Sequence, residues 1–196
     1  MRTALDAYEF AERENHSKDH RNRVEHVETI AAADIPRFGK LGVIASMQPL
    51  HAYPDADTLE VWARNAGPER AARAWVWKSI ADYGGHYAFG SDWPVVTLSP
   101  WQVFKRRSPA DQRRQATRQF CASERLTVAQ AVRGYTAEAA YAGHREKTEG
   151  SLESGKVADV IMVDRNILEI DPHAIDQTKV VLTLVGGKIV YEADTP

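Results

Sequence analysis

The sequence predicts an α/β chain in which residues 1–149 form part of a parallel (β/α) barrel and residues 150–196 are all-β. Three observations carry this reading. Helical and strand-like segments alternate in successive units, which right-handed crossovers arrange as a parallel sheet. Each strand-like segment of the first part ends in polar side chains, and barrels gather their active sites at that end. From Gly150 onward, helical spacing gives way to short β-rich runs. A doubly wound sheet satisfies the first observation equally well; the polar strand ends favour the barrel.

Leu5, Tyr8 and Ala11 recur at near-helical spacing, so the chain opens with a helix that dissolves into the polar run from His16 to Asn22. Arg23 to Val27 is too short for a helix and β-branched enough for a strand ending near Glu25 and His26. A second helix has Asp34 as its cap, Pro36 in its first turn and Gly42 at its exit. Val43 to Met47 is a near-continuous apolar run, as in a strand covered on both faces, followed by Gln48. Pro68 opens a third helix whose Ala72, Trp75, Val76, Ile80 and Tyr83 keep one apolar face up to Gly84-Gly85. Tyr87-Ala88-Phe89 is then a short strand leading into Gly90-Ser91-Asp92.

Thr97 to Arg125 is a polar, arginine-rich excursion, helical in part. Thr127-Val128-Ala129-Gln130 matches a capping box, and the helix it begins buries Val128, Ala131, Val132 and Tyr135 before Gly143 stops it. Beyond the boundary near residue 149, Asp159–Val163, Val180–Val185 and Lys188–Tyr191 are strand-like, and Gly186-Gly187 is a two-residue hairpin turn.

Composition narrows the function. Apolar residues make up 43% and charged residues 27%, the balance of a folded soluble domain. The net charge of −2, with both signs interleaved, offers no face for nucleic acid or anionic lipid. Arg106, Arg107, Arg113 and Arg114 lack interleaved aromatics and read as a solvated face. The lone Cys121 cannot form an internal disulfide; with no apolar leader after Met1 and no run long enough to span a bilayer, a cytoplasmic location is expected.

His26 and Asp92, at the ends of two strands, are the residues best suited to chemistry. An imidazole nitrogen and a carboxylate oxygen are ordinary zinc ligands, and a carboxylate beside such an ion can also move a proton. Taken alone, each could equally hydrogen-bond a neighbouring loop. Glu25 has two readings, a carboxylate that orients a ligand or a plain salt bridge. His16 and His20 stand four apart, but Ser17 occupies the position where a His-Glu-x-x-His site needs glutamate, so they read as a solvated helix end. His86 precedes its strand and belongs to the inactive rim. Neither Ser46 nor Ser91 has the glycines of a nucleophile elbow. Trp75 and Trp77 read as core.

Four segments occur in a telling order: Arg23-Val24-Glu25-His26; Met47-Gln48-Pro49 followed by His51; Phe89-Gly90-Ser91-Asp92-Trp93-Pro94-Val95; and Gly150 through Asp159 with Lys156 and Ala158. Together they resemble the amidohydrolase superfamily, specifically amidohydrolase family 3, the group of YtcJ-like and N-substituted formamide deformylase-like hydrolases. The resemblance runs from near residue 1 to about residue 192. It implies the C-terminal portion of a metal-dependent (β/α)8 TIM barrel followed by part of a small β-sandwich. It also implies hydrolysis of a non-peptide, amide-like C–N bond in a small molecule, with a metal-bound water as nucleophile. By the same resemblance His26 ligates the metal, and Asp92 ligates it and shuttles the proton. Gln48, His51 and Trp93 fall in segments bordering the substrate pocket. The cofactor implied is one or two divalent ions, zinc foremost.

This chain departs from the family in lacking any His-x-His pair. The family's first-strand pair, fourth-strand bridging residue and fifth-strand histidine are expected upstream of Met1. A catalytic zinc has three protein ligands, and the resemblance matches two here. Two functions are therefore expected: a C–N hydrolase completed by an N-terminal half, supplied by a longer chain or a second polypeptide, or a non-catalytic remnant acting as an assembly module. Open sheet edges favour association in either case, including with a second copy.

Overall fold

A computed structural model describes residues 1–16, 19–53, 55–101 and 121–194. Of the excursion from Thr97 to Arg125, residues 102–120, with Arg106, Arg107, Arg113 and Arg114, lie outside the described residues. The first helix, α1 (Arg2–Asn15), ends where His16 turns into the left-handed region. The buried side chain of Leu5 and a hydrogen bond from the Tyr8 hydroxyl to the Arg23 carbonyl (3.0 Å) dock it beside the first strand.

β1 (Arg23–Glu25), β2 (Ile44–Met47) and β3 (Tyr87–Phe89) form a parallel sheet in the order β1-β2-β3. The register puts Glu25 level with Ser46, and Ser46 level with Ala88. The residues that follow the three strands therefore emerge on one rim. The ladder continues one residue past its formal ends, with the His26 N–H on the Ser46 carbonyl (2.7 Å) and the Gly90 N–H on that of Met47 (3.1 Å). The first strand is shorter than expected, because His26 (φ 68°) and Val27 (φ 48°) turn away from extended geometry and sink the Val27 side chain into the core.

The second helix is a 3-10 turn, Ala32–Asp34, running into α2 (Ile35–Lys40) with Pro36 in its first turn. Asp34 stands at the expected boundary, but its side chain does not cap the helix. It is buried and accepts hydrogen bonds from Arg2 (3.1 Å) and Arg37 (3.2 Å) instead. Burial pushes the Asp34 carboxyl up, yet these arginine bonds outweigh it and hold the group below its ordinary value.

The single helix expected from Pro68 to Tyr83 is two, α4 (Pro68–Ala71) and α5 (Trp77–Asp82). Between them the chain pairs with the stretch after β1: Ala74 bridges Thr29, and the Trp75 N–H donates to the Glu28 carbonyl (3.1 Å). Trp75 takes a positive φ of 49° there, and its fully buried ring packs on Trp62, with centroids 4.4 Å apart. Burying a large apolar side chain contributes about 1.5–3 kcal/mol, enough to override local helical preference. A π-helical turn, Asp57–Trp62, continuing into α3 (Ala63–Ala66), stands where the sequence reading placed no element. Its signals were present: the Asp55 carboxylate accepts the Thr58 N–H (2.9 Å), and Leu59 and Trp62 share helical spacing.

α6 (Val128–Tyr135) has the expected capping box, with the Thr127 and Gln130 side chains each bonding the other's backbone N–H. It stops before Gly143, however, and a second helix, α7 (Ala137–Ala142), follows a break at Thr136. The Thr136 hydroxyl takes the Val132 carbonyl (2.8 Å) while its N–H shifts to that of Arg133, which ends the regular ladder. At the opposite rim of β3, His86 bonds the buried Glu138 (2.7 Å), stacks on Tyr141 and serves as a strand-entry residue.

The core between sheet and helices comprises Leu5, Val27, Phe38, Val43, Met47, Trp75 and Ile80 among others. A second sheet, antiparallel in the order β4 (Val160–Val163), β5 (Val180–Val185) and β6 (Lys188–Glu192), follows residue 150. Gly186 and Gly187, both at positive φ, make the expected turn between the last two strands. Ile161, Met162, Ile189, Val190 and Tyr191 stay exposed. Among the described residues, no helix is long and apolar enough to cross a membrane.

Candidate metal centre

Each strand of the parallel sheet delivers one side chain to the common rim. After β1, the left-handed turn places His26 at the edge. After β2, Gln48 leads into a 3-10 turn, Pro49–Ala52, in which the His51 N–H bonds the Gln48 carbonyl (3.0 Å). After β3, Asp92 adopts φ 60° in a turn closed by the Val95 N–H on its carbonyl (2.8 Å).

The donor atoms of His26, His51 and Asp92 all lie within 4.8 Å of one another. The two imidazoles stack with centroids 5.6 Å apart and planes 15° from parallel. His51 Nε2 is 3.7 Å from Asp92 Oδ2, too far for a hydrogen bond, and this buried nitrogen has no hydrogen-bond partner among the described residues. A buried polar atom without a partner costs about 1–3 kcal/mol, a penalty that a ligand in the gap would remove. Two imidazole nitrogens and a carboxylate oxygen suit zinc and similar divalent ions; in a tetrahedral site such donors stand about 3.3 Å apart, within reach of modest side-chain rotation. The side chain of His51 is 14% exposed, whereas His26 and Asp92 are both exposed, so the cluster is rooted in protein at His51 and open to solvent at the other two donors.

The other residues singled out from the sequence divide. Gln48 is 7% exposed, and its Oε1 also lacks a hydrogen-bond partner among the described residues. Trp93 follows Asp92 and is 64% exposed. The Glu25 carboxylate pairs with Arg23 (2.8 Å), as the salt-bridge reading has it, and does not join the cluster. The carboxylate that does approach is Glu28, whose Oε1 is 4.0 Å from His51 Nδ1 and whose Oε2 accepts the Trp62 indole N–H (3.0 Å). Sequence reading missed Glu28 and Trp62. It gives His51 a place bordering the pocket without joining it to His26 and Asp92, because no local signal joins residues so far apart along the chain.

A family model described as "Amidohydrolase family" matches residues 1–191. Over 192 residues the chain is 34% identical to Protein LONG AFTER FAR-RED 3 of Arabidopsis thaliana, covering 95% of this chain and 31% of that protein. It is 28% identical to N-substituted formamide deformylase of Arthrobacter pascens, covering 96% and 34%. Among solved structures it superposes on an uncharacterized metal-dependent hydrolase from Pyrococcus furiosus with a TM-score of 0.63 and 27% identity, covering 85% of this chain and 31% of that one. The α/β fold is thus that of metal-dependent hydrolases. The chain belongs to the amidohydrolase family, in its family 3 group, and spans about a third of the length of the curated relatives it matches.

Proposed function

We propose that this chain supplies the metal-binding rim of a hydrolase that cleaves carbon–nitrogen bonds in small amide-like molecules. The observation that carries the proposal is the convergence of His26, His51 and Asp92 at one rim of three level, parallel strands. His26 and Asp92 hold a divalent ion, zinc by preference, and the unpartnered Nε2 makes His51 a third donor. Such an ion, when bound, polarises a carbonyl and acidifies water. The Asp92 carboxylate, open on one side, is placed to accept a proton and hand it to a departing amine. The unpartnered Oε1 of Gln48 is an acceptor for a substrate N–H, and Trp93 offers an exposed apolar surface beside Asp92.

The level parallel strands belong to a (β/α)8 barrel over residues 1–149, and residues 150–196 to a small β-sandwich. The remaining strands and ligands come from a longer chain or a second polypeptide. A non-catalytic assembly module is the second reading, favoured by the exposed Ile189, Val190 and Tyr191 of β6. Zinc and cobalt titration of the purified chain, with hydrolysis of N-formyl and simple amide substrates, separates the two. The hydrolase reading expects a stoichiometric ion and, in any active form, hydrolysis abolished by Asp92→Asn. A wild-type chain that takes up no ion, or an Asp92→Asn variant that binds and hydrolyses as well as wild type, overturns it.

A further inference from the structure

We infer that Glu28, anchored by Trp62, is a positioning residue that fixes the ring orientation and tautomer of His51; the inference rests on the metal-binding reading above. Glu28 lies two residues past His26, just after the left-handed turn at His26 and Val27. Its backbone is fixed, since its carbonyl accepts the Trp75 N–H (3.1 Å). Its side chain is divided between two tasks. Oε2 accepts the Trp62 indole N–H (3.0 Å), and that indole packs against the buried Trp75 ring. Oε1 then faces His51 Nδ1 at 4.0 Å, while the opposite ring nitrogen, Nε2, faces Asp92 at 3.7 Å; both gaps exceed hydrogen-bond distance, and a small side-chain rotation closes either one.

The chemistry follows from donor and acceptor counts. An ionised carboxylate only accepts hydrogen bonds, and a neutral imidazole carries one N–H and one lone pair. A carboxylate on the Nδ1 side therefore favours the Nδ1–H tautomer and leaves the Nε2 lone pair directed at the cluster. Asp92 pulls the other way, toward Nε2–H, unless its oxygens are engaged by an ion. Once an ion engages Asp92, Glu28 is thus the group that keeps the proton on Nδ1 and leaves Nε2 of His51 as a donor to the ion. An indole anchor costs no charge and holds the carboxylate in place, so Trp62 acts through Glu28.

The test compares wild type, Glu28→Leu, Glu28→Gln and Trp62→Phe at about pH 8, where free imidazoles are neutral. Long-range 15N–1H correlation spectra of the metal-free chain, recorded for each variant on an Asp92→Ala background that removes the competing acceptor, report the His51 tautomer, and zinc and cobalt titrations with Asp92 intact report affinity. Glu28→Leu is expected to shift His51 toward Nε2–H and weaken zinc by about 10–100-fold. Glu28→Gln, whose amide oxygen still accepts, should retain part of both properties. Trp62→Phe, which keeps an aromatic ring against Trp75, should show a smaller shift in the same direction. A His51 tautomer unchanged in Glu28→Leu overturns the inference even if affinity falls, since loss of packing alone could lower affinity. If wild type takes up no ion, the metal-binding reading fails, and the tautomer comparison still decides the role of Glu28.

Discussion

Gly39→Ala tests the packing that holds β3, and with it Asp92, in place. Gly39 lies in α2, and a Cβ built there falls 2.1 Å from the Tyr83 carbonyl oxygen, 3.1 Å from Gly84 C and 3.1 Å from Gly85 N. All three atoms are backbone, so no side chain can rotate aside. The turn they form is itself tied down, with the Gly84 N–H on the Ala81 carbonyl and the Gly85 N–H on that of Ile80, each at 2.9 Å. Relief requires α2 and the end of α5 to separate by about 1 Å, loosening the buried Phe38 and Ile80. Overpacking of this kind costs about 1–3 kcal/mol, more when only backbone can yield. Alanine returns up to about 1 kcal/mol in helix propensity. The net expectation is a loss of about 2 kcal/mol, which for a chain of this size lowers Tm by about 4–8 °C. Urea and thermal unfolding followed by far-UV circular dichroism read the change. Gly143→Ala is the matched control, because its Cβ meets nothing closer than 3.6 Å, and it should stay within about 0.5 kcal/mol of wild type. A Gly39→Ala protein as stable as wild type would refute the close approach of these two backbones.

Other expectations follow from the same geometry. Gly134→Ala would place a Cβ 2.5 Å from the Phe89 ring, so it should destabilise the chain and weaken zinc uptake at the end of β3; pairing it with Phe89→Leu should recover part of both in the same unfolding and titration assays. Asp34 and Glu138 both have carboxyl groups held below their ordinary values: burial pushes each up but is outweighed, for Asp34 by Arg2 and Arg37 and for Glu138 by His86 and Arg133. Their contribution to stability is complete above the unfolded-state values and is lost as pH falls through the folded-state ones, so urea midpoints should drop below about pH 4 and drop less steeply in Asp34→Asn. His51→Ala should reduce zinc affinity far more than Glu25→Gln, whose carboxylate pairs with Arg23; equal losses by isothermal titration would remove His51 from the site.

Local chemistry made much of the fold legible. The capping box at Thr127, the Gly186-Gly187 turn, the apolar run of β2 and the polar residues after each short strand are contained in a few consecutive residues, and each formed where periodicity and turn chemistry placed it. Where the expectation differed, a distant contact had overridden a local preference. The helix through Trp75 broke because that ring is buried against Trp62 and its backbone pairs with the Glu28 segment, and Asp34 left its capping role for two arginines.

The amino-acid order by itself determined which residue types end each strand, and so offered His26 and Asp92 as donors. Only the tertiary structure decided that His51 stands beside them and that Glu28 and Trp62 approach His51 from its Nδ1 side. The reason is physical: the register of three parallel strands and two left-handed turns sets those distances, and both are fixed by packing across the sheet rather than by neighbours along the chain.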